Sequence, residues 1–219
     1  MNERVGVTHP PRLLTTRPPR VAGLTAIAVL AMVFDLAVWR IGRAPGAEEA
    51  EWYQALRQIG YLPTWITVGI VVWLLDRRAG RTPAHHRAGL IALSPALAGL
   101  LAAMLKPLCR RLRPEAADGL YAFRPIWEDT LSGSGIGLPS GHTATAFGGA
   151  VMVGLLWPAV RWPMWLLAAG CGGARRLAGA HFLSDVVVAA MLGSAMAIAL
   201  FRTGEGPRTG PAGGLRLRP

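Results

Sequence analysis

The chain has 219 residues, of which 52% are hydrophobic and 16% charged, and its mean hydropathy is +0.36. This composition is typical of an integral membrane protein rather than of a soluble domain. The formal net charge is +11. However, the basic residues flank apolar segments instead of alternating with aromatic residues on a polar surface, which excludes nucleic-acid binding.

Six segments with few or no charged residues predict membrane-spanning helices. A helix rising about 1.5 Å per residue needs roughly 20 residues to cross about 30 Å of hydrocarbon, and the first and third segments stand well alone by this criterion. The fifth is short, and it spans only if Arg175 and Arg176 lie in its last turn at the interface. The six segments are 21–39, 61–75, 88–105, 143–159, 162–174 and 186–201.

These segments predict an all-α fold, a bundle of six transmembrane helices that occupies residues 21–201. Residues 1–20 are predicted to form a basic cytoplasmic segment, and residues 202–219, rich in Pro, Gly and Arg, a flexible cytoplasmic tail. No small-residue cleavage site follows the first segment, so we expect this span to be retained in the membrane.

The distribution of basic residues predicts which connections face the cytoplasm. Arginines concentrate in the N-terminal segment, the second and fourth connections and the C-terminal segment, which alternate onto one face. The third and fifth connections fall on the opposite face, yet they are also basic. Because topology does not explain these residues, we interpret them as ligands for a phosphorylated substrate on the non-cytoplasmic side. They are Lys106, Arg110, Arg111, Arg113, Arg124, Arg175 and Arg176.

Lys106 and Arg113 belong to the first of three short strings in or beside these two connections, Lys-x6-Arg-Pro. Seven positions are two turns of a helix, so both side chains can reach the same place. Both charges suit a phosphate, and arginine adds a planar fork that binds two oxygens. The alternative for Lys106 is a basic residue at a helix end that reaches towards lipid headgroups.

The second string, Pro139-Ser140-Gly141-His142, directly precedes an apolar segment. Such a turn presents free NH groups and the positive end of the helix dipole to an anion, and Gly141 allows close approach of the backbone. The Ser140 hydroxyl can donate to the same anion or cap the helix. His142, at the mouth of a membrane helix, suits proton transfer near neutral pH.

The third string contains Arg175, His181 and Asp185. The histidine and the carboxylate are spaced i to i+4, so on a helix or a helix-entering turn they share a face, and the carboxylate can accept the proton of one ring nitrogen. The other nitrogen is then free to attack phosphorus. Arg175 would hold the phosphoryl oxygens. The alternative is that Asp185 caps the last helix while His181 makes an interfacial hydrogen bond.

Together the three strings resemble the signature of the type 2 phosphatidic acid phosphatase superfamily, which comprises integral membrane lipid phosphate phosphatases. That signature is Lys-x6-Arg-Pro, Pro-Ser-Gly-His and Ser-Arg-x5-His-x3-Asp, in this order. One position departs, since Ala174 stands where the family usually has serine. The resemblance covers Lys106 to Asp185 by motif and the whole chain by its six-span layout.

The resemblance implies a role for each residue of the strings. His181 would attack phosphorus to give a phosphohistidine, Asp185 would orient His181, and His142 would protonate the leaving oxygen. No metal or other cofactor is implied. The residues implied to hold the phosphate are Lys106, Arg113, Ser140, Gly141 and Arg175.

The substrate implied by the resemblance is a phosphorylated lipid at the outer membrane interface. Undecaprenyl diphosphate, lipid A, phosphatidylglycerophosphate and phosphatidic acid are handled by bacterial relatives. We therefore expect a bacterial inner-membrane protein with its site facing the periplasm or exterior and both termini in the cytoplasm. Membrane lipids are the other expected contacts, and nothing in the sequence indicates an obligate protein partner.

Two alternative functions stay open, a transporter of phosphorylated lipids and a non-catalytic lipid-binding member of the fold. A transporter would not need a histidine with its own carboxylate beside a second histidine. A non-catalytic member usually lacks one of the two histidines, and both are present here.

Several residues outside the strings also carry expectations. Asp35 is costly in the first span, so it is expected either to have a function or to pair with an interfacial arginine. Cys109 and Cys171 are expected to be free thiols. The arginines expected either to bind a second phosphate or sugar phosphate, or simply to contact headgroups, are Arg110, Arg111 and Arg124.

Overall fold

A computed structural model describes residues 18–204, and this part of the chain is built from α-helices with two isolated β-bridges and no β-strand. The all-α prediction is confirmed. The predicted terminal segments, 1–20 and 202–219, lie almost entirely outside the described residues. The seven helices are α1 (Pro18–Gly42), α2 (Glu51–Gln58), α3 (Leu62–Arg78), α4 (His85–Cys109), α5 (Gly141–Leu156), α6 (Arg161–Leu177) and α7 (Leu183–Gly204).

Each of the six predicted apolar segments coincides with one of these helices, and α2 is an addition within the first connection. By length and composition, α1, α4 and α7 can cross a membrane, and α2 with α3, which meet at a bend of 59°, can form a fourth span. Helix α5 has 16 residues and so is roughly 24 Å long. The chain is therefore an integral membrane protein with three or four candidate spans, and the count of six spans stays a prediction.

Helix α5 forms the centre of the bundle and packs against α3, α4, α6 and α7. Its small residues permit this close packing, as is usual between membrane helices. A Cβ atom at Gly148 would lie 3.0 Å from the Cα atom of Pro95 in α4. On the other side, Gly193 of α7 comes so close that its Cβ would lie 2.4 Å from the carbonyl oxygen of Ala144. The start of α5 is thereby fixed between α4 and α7.

The connections between the helices alternate between the two ends of the bundle. At one end, the amide of Ala44 donates to the carbonyl of Leu177 over 2.9 Å, which joins the first connection to the last turn of α6. At the other end, the guanidinium of Arg87 lies 5.2 Å from the ring centroid of Trp157, which joins the second and fourth connections. The three strings therefore lie at the first of these two ends.

The long connection between α4 and α5, residues 110–140, folds back on itself. The amide of Leu112 donates to the carbonyl of Ala122 over 2.8 Å, and the amide of Gly137 donates to the carbonyl of Arg111, also over 2.8 Å. These bonds hold the first string beside the Gly-rich stretch that precedes the second.

Cys109, the last residue of α4, and Cys171 in α6 are both free thiols, as expected.

Candidate active site

A cavity of about 350 Å³ opens at the end of the bundle that carries the three strings. Arg113 comes from the first string, His142 from the second and Arg175 from the third. Three chain segments distant in sequence therefore meet around one cavity. Its lining residues are Glu48, Tyr53, Arg57, Arg113, Glu115, His142, Arg175, Ala178 and Ala180.

The first string places two cations at this site. Arg113 is extended, because Pro114 follows it and begins a 3₁₀ turn, and its amide donates to the carbonyl of Gly135 over 3.1 Å. Lys106 lies half-buried in the last turn of α4. Its Cδ atom lies against Gly133 of the long connection, where an added Cβ would be 3.2 Å away.

The second string begins α5, with Ser140 as the N-cap residue and Gly141 as the first helical residue. Ser140 is fully buried, and its hydroxyl oxygen accepts a hydrogen bond of 3.0 Å from the Thr143 hydroxyl. Its amide donates to the carbonyl of Asp185 over 3.2 Å. The start of α5 is therefore joined directly to the start of α7.

His181, in the connection between α6 and α7, forms a buried pair with Asp185, in the first turn of α7. Nδ1 of His181 lies 3.4 Å from Oδ2 of Asp185, and the side chains are 3% and 0% exposed. The same carboxylate oxygen accepts from the amide of Phe182 over 2.9 Å. Gly137 leaves room for it, since a Cβ there would lie 2.8 Å from Oδ2. The backbone around the pair thus fixes the carboxylate.

Burial lowers the pKa of His181 below its ordinary value, because the charged imidazolium would be desolvated. The nearby carboxylate of Asp185 opposes this effect, whereas the positive charges of Arg175 and Arg113 add to it. The lowered pKa of His181 favours the neutral imidazole, which is the form a nucleophile needs.

Arg111 connects Asp185 to Asp35 of α1. Its guanidinium binds Oδ1 of Asp185, donates to the Ser184 hydroxyl over 2.7 Å and lies 3.7 Å from Oδ2 of Asp35. Ser184 in turn donates to Asp35 through its amide, over 2.8 Å, and through its hydroxyl. The expectation that Asp35 pairs with an arginine is thus confirmed.

Tyr121 closes this network from the long connection. Its hydroxyl donates to Oδ2 of Asp35 over 2.7 Å. Burial and this hydrogen bond raise the pKa of Tyr121 to about 12, so the phenol stays protonated and remains a donor. Its ring and that of Phe182 flank Arg111, with their centroids 5.0 and 5.1 Å from the guanidinium carbon.

Arg110, Arg111 and Arg124, expected either to bind a second phosphate or sugar phosphate or to contact headgroups, all make contacts within the protein. Arg111 is buried and committed to two carboxylates. Arg110 donates to the carbonyls of Arg124 and Pro125, and Arg124 to those of Ser132 and Ser134. Arg110 and Arg124 stabilise the long connection, because they donate to carbonyl groups that no helix pairs.

Two tyrosines outside the three strings, Tyr53 and Tyr61, contact residues of the site. Arg175 donates to the hydroxyl of Tyr53 on α2. The ring of Tyr61 packs edge-on against His142, with centroids 4.8 Å apart, and Arg57 lies 5.2 Å from the Tyr61 centroid. The spacing of Tyr53 and Arg57, one helical turn, was the signal that could have revealed α2 as a wall of the site.

Ala174, which stands where the family serine was expected, lies in a small apolar cluster with Ala47, Tyr53 and Ala178. It is 1% exposed and belongs to the packing of α6 against α2. Tyr53 therefore contacts both the alanine and the adjacent Arg175.

A second, apolar cavity of about 330 Å³ lies on the other side of His142. Its walls come from the start of α3, the middle of α4 and the first turns of α5. His142 is thus shared between a charged cavity and an apolar one. The residues that line the apolar cavity are Gly60, Tyr61, Leu62, Pro95, Ala96, Gly99, Leu100, Gly141, His142 and Thr145.

Several buried nitrogens at the site have no hydrogen-bond partner among the residues that the structure describes. They include Nε of Arg113, Nε of Arg175 and Nε2 of His142, all from residues that line the charged cavity. Buried donors are rarely left unpaired in proteins. This arrangement is suited to an anion with several oxygen acceptors.

Comparisons with known proteins bear on the fold and the family. One solved structure with a similar fold is that of a transmembrane PAP2 type phosphatidylglycerolphosphate phosphatase from Bacillus subtilis, with a TM-score of 0.60 and 18% identity. The similarity covers 85% of this chain and 98% of that chain. No curated protein matches the sequence significantly. The family model of the PAP2 superfamily matches residues 87–206, and the chain belongs to this superfamily.

Proposed function

We propose that this protein is a membrane lipid phosphatase that hydrolyses a phosphomonoester or diphosphate of a lipid through a phosphohistidine intermediate. The observation that carries the proposal is the meeting of Arg113, His142 and Arg175 around one cavity beside the buried His181–Asp185 pair. Membership of the PAP2 superfamily supports the reaction class.

In the first half-reaction, Nε2 of neutral His181 attacks phosphorus. The new N–P bond forms as the P–O bond to the lipid breaks, and protonated His142 gives its proton to the leaving oxygen. The lipid departs as an alcohol, or as a monophosphate where the substrate is a diphosphate. Asp185 faces Nδ1 of His181 at 3.4 Å and stabilises the positive charge that develops on the ring.

In the second half-reaction, a water molecule attacks the phosphohistidine. His142, now neutral, takes a proton from this water, the N–P bond breaks, and inorganic phosphate leaves. Both histidines thereby return to their starting protonation states, as a general acid that becomes a general base must.

The phosphate is proposed to lie among the cations of the three strings. Arg113 and Arg175 each carry a buried Nε that no described residue accepts from, and an arginine fork can bind two phosphate oxygens. Lys106 adds charge, and the Gly141 amide at the N-terminus of α5 suits an anion. Ser140 is proposed to donate through its hydroxyl, since that oxygen only accepts from Thr143 while the Ser140 amide is already bound to the Asp185 carbonyl. These donors would offset the charge that grows in the transition state.

The apolar cavity beside His142 supports a lipid as the substrate. A phosphate in the charged cavity would place the adjoining hydrocarbon next to Tyr61, Ala96 and Gly99. His142 lies between the two cavities, where a proton donor for the leaving oxygen is needed. We further propose that this end of the bundle faces the periplasm or exterior and that both termini are cytoplasmic. The basic residues at this end are assigned to the phosphate site and the long connection, whereas those of the second and fourth connections, at the other end, have a topological explanation.

The proposal is tested by phosphate release from purified enzyme in detergent. Substrates are phosphatidic acid, phosphatidylglycerophosphate, undecaprenyl diphosphate and lipid A, each without an ion gradient. Release from any of them distinguishes a phosphatase from a transporter or a non-catalytic lipid-binding protein, and the rates rank the substrates. The absence of release from every lipid of the panel would contradict the proposal.

A further inference from the structure

Three charged side chains are fully enclosed next to the proposed nucleophile. Arg111 is 3% exposed, Asp35 is 1% exposed and Asp185 is 0% exposed. They come from the long connection, from α1 and from α7. Burying an ionised group is costly unless it is paired and hydrogen-bonded, and here Ser184 and Tyr121 supply the remaining bonds to Asp35.

The numbers of acidic and basic groups in this cluster determine its net charge, which acts on His181. One guanidinium is shared by two carboxylates, so the cluster as a whole carries one negative charge. If Arg111 were paired with Asp185 alone, the pair would be neutral and would support a developing imidazolium poorly. Asp35 lies 3.7 Å from the same guanidinium, so the cluster that contains Asp185 keeps a net negative charge beside His181.

The cluster also fixes the orientation of Asp185. Arg111 binds Oδ1, while Oδ2 accepts from the Phe182 amide and faces Nδ1 of His181. Rotation of the carboxylate would break contacts on both oxygens. Arg111 is itself held between the rings of Tyr121 and Phe182 and by its second carboxylate.

We propose that Asp35 and Arg111 are positioning residues for the phosphatase reaction: Arg111 orients Asp185, and Asp35 keeps the cluster negatively charged so that Asp185 stabilises the imidazolium of His181. This inference rests on the proposed function. Both side chains are enclosed and paired within the cluster, and neither lines the charged cavity. We therefore expect each to affect the chemical step and not the binding of the substrate.

The decisive experiment measures kcat and KM of Asp35→Asn on the best lipid of the panel, per folded enzyme. Asparagine keeps the shape of the side chain and can still accept from the Ser184 amide, but it removes the charge. We expect kcat to fall about tenfold and KM to stay within about twofold of the wild type. Because Asp35 acts through Arg111, adding Asp35→Asn to Arg111→Lys is expected to lower kcat less than it does in the wild type.

The matched control is the buried ion pair at the opposite end of the bundle, where Arg87 binds Asp76. Asp76 is 5% exposed, so Asp76→Asn removes a buried charge as Asp35→Asn does. We expect this control to lower the melting temperature while leaving kcat per folded enzyme unchanged. A fall in kcat shared by both variants would show a general loss of structure and overturn the inference.

Two further outcomes are decisive. If kcat of Asp35→Asn stays within about twofold of the wild type while His181→Ala is inactive, the positioning role is overturned and the proposed function stands. Full activity of His181→Ala would overturn the proposed function and with it the inference. Should Asp35→Asn yield too little folded protein, Ser184→Ala, which removes only the hydroxyl shared by Asp35 and Arg111, is expected to lower kcat with KM unchanged. An unchanged kcat in Ser184→Ala would then contradict the inference.

Discussion

Nδ1 of His181 lies 3.4 Å from Oδ2 of Asp185, and both side chains are almost fully enclosed. The contact is longer than a well-formed hydrogen bond, since Oδ2 also accepts from the Phe182 amide. An i to i+4 pair across a helix start is held by the backbone itself. The backbone positions of both residues are therefore expected to persist in variants that change only one of the two side chains.

Replacement of His181 by alanine is expected to abolish phosphate release, and Asp185→Asn to lower kcat about 100-fold or more, because the imidazole then loses its orienting charge. Steady-state kinetics on purified protein measure both effects. His86→Ala serves as the control, since this histidine is exposed at the opposite end of the bundle. Substantial turnover by His181→Ala would exclude it as the nucleophile.

The pH dependence of kcat/KM should reflect the lowered pKa of His181. The neutral ring is the nucleophile, and burial holds the pKa of His181 below its ordinary value of about 6.5. Activity is therefore expected to persist as the pH falls through about 6.5 and to be lost only at lower pH, when the folded protein takes up the proton.

Substitutions of the charged neighbours of His181 test independently whether its pKa rises or falls. Arg175 lowers the pKa of His181, so Arg175→Gln is expected to move the acidic limb of kcat/KM to higher pH, besides lowering activity. Asp185 raises the same pKa, and Asp185→Asn is expected to move the limb the other way. Shifts of the opposite sign would contradict the assignment of this limb to His181.

The helices could be predicted because charge-free segments of span length have few alternatives to a membrane helix. The short helix α2 escaped prediction, since eight residues that include Glu51 and Arg57 carry no span-length apolar signal. Its place was decided by tertiary contacts of Tyr53 with α6, which no local pattern encodes.

The candidate site was predictable to the extent that its chemistry needs certain residue types at certain spacings. His142, His181 and Asp185 follow from that requirement. The buried cluster around Asp185 could not be predicted in this way. Asp35 and Ser184 are 149 positions apart and meet only through the packing of α1 against α7. Arg111, which completes the cluster, is recognisable in the sequence as a basic residue of the third connection, but no local pattern indicates that it is buried.

Tyr53 is a candidate to compensate for the absence of the family serine, because it contacts both Ala174 and Arg175. Its hydroxyl is bound by Arg175, and Tyr53 also packs against Ala174. Tyr53→Phe removes a hydrogen bond to a charged group, which contributes about 1.5–3 kcal/mol, so kcat/KM is expected to fall about tenfold or more. Trp52→Phe, a change on the exposed face of the same helix, is the control. Equal kinetics for Tyr53→Phe and the wild type would show that Arg175 needs no such partner.

The apolar cavity beside His142 is expected to bind the hydrocarbon next to the phosphate. Ala96→Phe would fill part of it, and each methylene displaced from an apolar site costs about 0.8 kcal/mol. We expect KM for a long-chain lipid phosphate to rise several-fold, while KM for a short-chain, water-soluble phosphate ester stays unchanged. Assays of both substrates on the same preparation make the comparison.

Ala92 provides the matched control for this substitution. It lies one turn earlier on α4 and lines a different apolar cavity with Ile66 and Trp73, remote from His142. Ala92→Phe therefore introduces the same ring on the same helix without touching the proposed path of the lipid, and KM for both substrates is expected to match the wild type. If Ala96→Phe raised KM equally for the long-chain and short-chain substrates, the ring would be disturbing the phosphate site itself, and the hydrocarbon would have to lie elsewhere.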